Sequence, residues 1–257
     1  MITVSEAQLM AWIMPLLWPF LRALALFTAL PVLGSRTVPA RVRIALAAFI
    51  ALAAQPSMPP LTPEVLATPL DSPLAVLLII QQVLIGLALG FSVRIAFAAV
   101  EFAGEIAGLQ MGLNFAGFFD PLSASTATAT SRFFGTLIAW LFIVIGGHLV
   151  VTGALVQSFT SFPIGPEPMA FIREVQPHRW GAEIFSTGLW IAMPLIVVLM
   201  FVNLVLGAIS RVASQINIFA IGFPVTLGVG LTGLMLMLPG LQVPFTMVLE
   251  RLLANFG

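Results

Sequence analysis

The sequence predicts an all-α integral membrane protein of about six long apolar helices, ending in a helical hairpin and built to pack against neighbours. Three observations predict it. Of the 257 residues, 60% are hydrophobic and 8% charged, with a mean hydropathy of +1.11, whereas a soluble domain carries roughly 25% charged residues. Six apolar stretches are long enough to span a membrane, at about 20 residues each. Small residues recur as Gly86-x-x-x-Gly90 and Gly104-x-x-x-Gly108-x-x-x-Gly112. That spacing clears one helical face of side chains and lets another backbone approach.

We place the spans near residues 9–33, 40–56, 74–100, 133–157, 182–210 and 217–250. The N-terminal MITVSEAQLMAW has no basic region ahead of its apolar run, so it reads as a first span and not a cleaved signal. That span holds Pro15, Pro19 and Arg22, and Leu30-Pro31-Val32-Leu33-Gly34-Ser35 closes it as a breaker cluster. Arg36, Arg41 and Arg43 follow, which argues for the cytoplasmic side. The cluster reads either as a topology signal or as a docking surface. Residues 55–73 form a proline-rich loop with Glu64 and Asp71 but no arginine, which suits the opposite side. Gly147-His148 falls inside the fourth span, where His148 reads as a packing residue before a proton carrier. The loop over 158–181 is the most polar part of the chain. The last third reads as a hairpin, two long apolar runs flanking a polar turn with Arg211, Gln215 and Asn217. Its second arm is over-long and interrupted by Pro224, Pro239 and Pro244, the pattern of a broken or re-entrant helix.

The stretch on which the rest turns is Arg94–Pro121, RIAFAAVEFAGEIAGLQMGLNFAGFFDP. Arg94, Glu101 and Glu105 sit in an otherwise apolar helix. A charge at bilayer depth costs about 2.5–3.5 kcal/mol on insertion scales, so this segment belongs against other helices or a cavity. Arg94 and Glu101 share a helical face but stand two turns apart, roughly 10.5 Å. The charges therefore read better as held by neighbouring subunits than as a proton relay. Gly104, Gly108 and Gly112 form the packing face. Met111, Gly112, Leu113, Asn114, Phe115, Gly117, Phe118 and Phe119 follow, bulky and deformable around bendable glycines. The residues alone leave two readings: ordinary core packing, or a segment that fills a pore and yields to a passing chain.

Several chemistries are excluded. Cys is absent, which removes disulfides and thiolate sites. His148 and His178 have no second His four residues on, and no H-E-x-x-H, G-x-S-x-G or phosphate-cradling G-x-x-x-x-G-K occurs. No catalytic residue, metal ligand or cofactor is expected, and the chain does not read as an enzyme. A net charge of +0 without a basic run argues against nucleic acid as a partner.

A set of fragments in order carries a resemblance. They are Pro31-Val32-Leu33-Gly34-Ser35 with Val38-Pro39-Ala40-Arg41-Val42-Arg43, then Glu101-x-x-Gly104-x-x-x-Gly108-x-x-x-Gly112 through Phe119-Asp120-Pro121. Gly147-His148, Ser158-Phe159, Phe162-Pro163 and Ala192-Met193-Pro194 follow. Leu206-Gly207-x-x-Ser210-Arg211-x-x-x-Gln215-x-Asn217-x-Phe219 then runs into Gly222-Phe223-Pro224. Together they resemble the FliR family of the flagellar type III export gate, which is related to the T component of injectisomes. Asn203 stands where the family usually has an acid, and Ser214 where Pro commonly precedes the Gln.

The resemblance implies a subunit of the gate through which unfolded flagellar axial proteins cross the bacterial inner membrane at the basal body. It implies a single membrane domain over 1–257, with 1–160 similar to the FliP partner and carrying a plug loop, and 161–257 similar to the FliQ hairpin. One copy joins about five FliP-type and four FliQ-type subunits in a helical hetero-oligomer in membrane lipid, with FlhA- and FlhB-type export components. Met111–Phe119 is then the plug of the resting pore. The alternatives are an injectisome gate subunit, and a small-molecule or ion secondary transporter. The second class usually shows inverted repeats with paired broken helices, and no convincing pair is found here.

Overall fold

The computed structural model describes residues 6–66, 68–113, 128–165, 170–212 and 218–257. Among these, every regular element is helical. In chain order they are α1 (Glu6–Ala29), α2 (Ala40–Ala54), a short α3 (Pro63–Leu66), α4 (Pro73–Gln110), α5 (Ala129–Val144), α6 (Gly147–Ser161), α7 (Ala170–Val175), α8 (Gly181–Val212), α9 (Ile218–Met237) and α10 (Gln242–Leu253). The all-α membrane class holds.

By length and composition three described helices can cross a bilayer: Pro73–Gln110, Gly181–Val212 and Ala220–Phe256. A fourth exists if α5 and α6 count as one. Helix α1 has 24 residues, and α2 has 15, about 22 Å against a hydrocarbon core of ~30 Å. The expected fourth span is bent by 69° between α5 and α6. Gly146 makes that bend at φ 73, a left-handed state that costs other residues about 1–2 kcal/mol. Phe142 presses on Gly147 beside it and leaves no space for a Cβ.

The sixth span departs from expectation in the opposite sense. Pro224 sits inside α9, and one 3-10 turn, Leu238–Leu241, joins α9 to α10. Ala220–Phe256 therefore runs on as 37 helical residues, neither broken nor re-entrant. Pro239 opens the 3-10 turn and Pro244 lies in the first turn of α10, positions that tolerate a missing N–H.

The chain forms two compact units. The first takes Met1–Arg94, Phe142–Trp180 and Leu249–Gly257, and the second takes Ile95–Leu141 and Gly181–Val248. In the first unit, α2 turns a face of Ala47, Ala51 and Ala54 inward, and α1 packs against α2. Gly86 and Gly90 of α4 admit α1 in the same way. A Cβ on Gly86 would strike the Arg22 carbonyl and lie 2.8 Å from the Ala25 Cβ, and one on Gly90 would strike Ala29. Small residues from both helices bring the backbones together. An aromatic run from Phe171 through Phe162, Phe256 and Trp180 to Phe91 completes the packing, with centroids 5.9–6.4 Å apart.

Inside this unit Arg22 is fully buried. Its Nε donates to Gln82 Oε1 at 2.8 Å, and Nη1 donates to the Ser158 carbonyl at 2.7 Å and to Ser158 Oγ at 3.0 Å. Nη2 donates to the Phe162 carbonyl at 2.9 Å. The Phe159 ring centroid lies 4.0 Å from the guanidinium carbon. Ser158 and Phe162 close the C-terminus of α6, where the helix dipole gathers negative potential. The ring face supplies more. These contacts hold the cation without a carboxylate among them.

Candidate functional site

The second unit is assembled on the last four turns of α4, where bulky side chains meet glycines. Gly104 lies under Phe134 of α5, whose ring leaves a Cβ only 2.7 Å. One position along α5, Gly135 lies under the Glu101 carboxylate, with Oε1 2.8 Å from where a Cβ would stand. On α8, Gly188 receives Phe102, and a Cβ there would sit 2.8 Å from the Ala99 carbonyl. Phe185 meets Phe102 edge-on at 5.2 Å. On α9, Gly230 seats Met111, which is wholly buried. Phe97 meets Phe245 edge-on at 5.6 Å. Helices α5, α8 and α9 each meet this end of α4 where a Cβ is missing on one side, which lets side chain and backbone close up.

Gly104 and Gly108 are buried in α4. Gly112 lies past the end of that helix at φ 78. The Met111 N–H still bonds the Ala107 carbonyl at 3.0 Å and the Gly112 N–H the Leu109 carbonyl at 3.1 Å, so Gly112 acts as a left-handed helix stop. Of the candidate plug, Met111, Gly112 and Leu113 are described; Asn114, Phe115, Gly117, Phe118 and Phe119 lie outside the described residues. Arg94 is exposed, and Glu101 and Glu105 are half-buried. Because α4 is continuous through all three, the two-turn separation of Arg94 and Glu101 stands. Arg211 is exposed in the last turn of α8, while Gln215 and Asn217 lie outside the described residues. His148 is exposed in the first turn of α6.

The residue that sequence reading passed over is Arg22. It looked like one charge in an apolar span, and its acceptors stand 60 to 140 positions away. The pair Gln81-Gln82 in an otherwise apolar run was the available signal. Gln82 takes the Arg22 Nε, and its own Nε2 donates to Gln81 Oε1 at 3.0 Å.

Between α8 and the α9–α10 run the second unit holds a groove of about 800 Å³. Trp190, Pro194, Val198, Gly233, Leu236 and Pro244 are among its almost wholly apolar lining. Among the described residues, no three His, Asp or Glu side chains gather as metal ligands. In the apolar window of α4 half the residues are buried within the chain, against 22% for α8 and for Ala220–Phe256. The hairpin thus turns Trp190, Met200, Phe201, Leu204, Met235 and Leu236 outward, a surface for lipid or for other helices.

A family model described as bacterial export proteins, family 1, matches residues 13–252. The chain is 43% identical over 245 residues to the flagellar biosynthetic protein FliR of Escherichia coli (strain K12), covering 95% of this chain and 92% of that protein. It is 42% identical over 239 residues to FliR of Pectobacterium carotovorum subsp. carotovorum, at 93% and 90% coverage. To FliR of Bacillus subtilis (strain 168) it is 27% identical over 224 residues, at 82% and 80% coverage.

Proposed function

This chain belongs to the bacterial export proteins, family 1, and from that premise we propose that it is a membrane-embedded subunit of the flagellar type III protein export gate. The observation that carries the reading is the end-to-end match to a flagellar relative, 95% of this chain against 92% of that protein.

In this reading the chain forms part of the channel through which unfolded flagellar proteins cross the inner membrane at the basal body. Its role is structural and conductive, not catalytic. FliP-type and FliQ-type subunits pack around it, with FlhA- and FlhB-type components in the same apparatus. Residues 1–160 take the FliP-like part and 161–257 the FliQ-like hairpin.

Two features of the fold support the reading. First, α4 has 38 residues, about 57 Å and nearly twice the ~30 Å hydrocarbon core. The 20 residues from Pro73 to Ser92 suffice for lipid, so Arg94, Glu101 and Glu105 can lie beyond it, inside the assembly. Second, the hairpin keeps most of its apolar surface outward, which suits helices from other subunits. The segment Met111–Phe119, entered through the buried Met111 and the Gly112 stop, serves as the plug of the closed pore.

The test is secretion in a clean deletion strain, with flagellin, hook protein and any injectisome effectors assayed in the medium and motility scored. Loss of flagellin and hook export, restored by the intact gene, is the expected result. Loss of effectors with motility intact would move the chain to the injectisome branch. Normal export of both would remove the gate reading.

A further inference from the structure

Helix α8 carries a single carboxamide in its long apolar stretch. Between Glu183 and Arg211 no charged residue occurs, and Asn203 is the one Asn or Gln. With Arg211 at the membrane interface, Asn203 lies just over two turns deeper, about 12 Å along the axis and inside a ~30 Å hydrocarbon core. A carboxamide offers two N–H donors and an acceptor. Acyl chains satisfy neither.

Polar neighbours in the hairpin close on their own helices. Ser210 Oγ donates to the Gly207 carbonyl at 2.7 Å, Thr232 Oγ1 to the Gly228 carbonyl at 2.9 Å and Thr246 Oγ1 to the Gln242 carbonyl at 3.0 Å. An asparagine can do the same, as Asn255 Nδ2 does with the Leu252 carbonyl at 3.0 Å. Asn203 does not. It is exposed, and its carboxamide has no hydrogen-bond partner among the described residues.

The surroundings of Asn203 suit a second helix. Met200, one turn before it, is 62% exposed. At Gly207, one turn after it, nothing lies within 4 Å of the missing Cβ. A backbone passing over Gly207 would come close enough for its side chains to reach the carboxamide. Charge argues against that backbone being a second copy. In a parallel pair of copies, Arg211 at the same end of α8 would stand against Arg211, and like charges across an interface are unfavourable. A different chain with a polar, non-basic face meets both residues.

We propose that Asn203 is the polar contact by which α8 recognises a membrane helix of another gate subunit. That helix packs its backbone over Gly207 and brings a Ser, Thr, Asn or Gln side chain to the carboxamide. The inference rests on the gate reading and adds the chemistry of the partner. One hydrogen bond in an apolar face fixes the register of two helices that apolar packing alone would let slide.

The test is recovery of the complex from cells that express the full-length chain with the other export-apparatus genes. After extraction in mild detergent, mass spectrometry counts the other subunits retained per copy of the chain. Asn203→Leu should retain about fivefold less than wild type, the effect of one interhelical hydrogen bond. Asn203→Gln keeps the carboxamide and should retain more than Asn203→Leu. Wild-type retention by Asn203→Leu, or equal losses in the two variants, overturns the proposal. If Asn203→Leu lowers the amount of chain in the membrane, a photoreactive residue at Met200 in the otherwise wild-type chain decides. Adducts to another export subunit support the proposal; adducts to lipid alone, to a second copy, or none, overturn it. Flagellin export in the deletion strain judges the gate reading separately, so lost export there with Asn203→Leu complexes intact removes this inference alone.

Discussion

The interior of the first unit contains Arg22, Gln81, Gln82, Ser92 and Ser158, while the buried polar residues described in the second are Thr130 and Thr226. Thr226 Oγ1 donates back to its own helix, at 3.0 Å to the Gly222 carbonyl and 3.1 Å to the Phe223 carbonyl. One unit is therefore fixed by directional bonds between distant segments. The other is fixed by shape, with Phe134 on Gly104, Phe102 on Gly188 and Met111 on Gly230. A guanidinium fork admits one arrangement of its acceptors. A glycine seat sets how close two helices come and demands nothing of their outer faces. The second unit can then leave the backs of α8 and α9 bare, which a subunit surrounded by helices requires.

Breaking the polar centre has the largest expected effect. Arg22→Met strands Gln82 Oε1 and the Ser158 and Phe162 carbonyls at a cost of about 1–3 kcal/mol for each group left unsatisfied. The chain should lose its protease-resistant core in membranes and fall in steady-state amount. Arg22→Lys keeps a charge without the fork and should fall between. An Arg22→Met chain as resistant as wild type would mean the network holds nothing.

Filling a glycine seat comes next. Gly104→Val drives a side chain into Phe134 and should cost about 1–3 kcal/mol, as overpacking does. Adding Phe134→Ala to that variant should restore part of the loss, read by the same proteolysis. The outer face sharpens the contrast. Phe201→Ser with Leu204→Ser touches residues 67% exposed within the chain, so stability should stay within about 0.5 kcal/mol. Flagellin export should nevertheless drop if, as proposed, other subunits pack on that face.

The smallest effect belongs to Gly228→Ala. Within the chain nothing lies within 4 Å of its missing Cβ, so the substitution should stabilise α9 by roughly 0.5–1 kcal/mol. A loss of export with stability intact would place a neighbour's helix against that spot.

The sequence shows Gly86-x-x-x-Gly90 and Gly104-x-x-x-Gly108 plainly, because the pattern and its purpose lie on one helix. It conceals Arg22, because a charge in an apolar run carries no mark of acceptors at Gln82, Ser158 and Phe162. Six spans were expected; among the described residues three helices, or four with the bent α5–α6 pair, are long and apolar enough to cross, and hydropathy does not register the bend at Gly146. The opposite error at Pro224, Pro239 and Pro244 has a related origin. Pro239 and Pro244 lie in the junction turn and the first turn after it, where a missing N–H is tolerated, and α9 continues through Pro224. The charged end of α4 could be located by pattern, whereas Gly112, expected in the packing face with Gly104 and Gly108, lies past the end of the helix at φ 78. That Gly135, Gly188 and Gly230 seat its side chains depends on pairings across 30 or more residues, which periodicity does not encode.

The most direct test of the central claim, that the hairpin of the second unit is built for other gate subunits, is photocrosslinking in living cells. A photoreactive residue replaces Leu204, 67% exposed on α8, and the buried Leu199 on the same helix serves as the internal control. We predict protein adducts with other export-gate subunits from position 204 and none from position 199. Adducts from position 204 to lipid alone, in cells that export flagellin normally, would contradict the account.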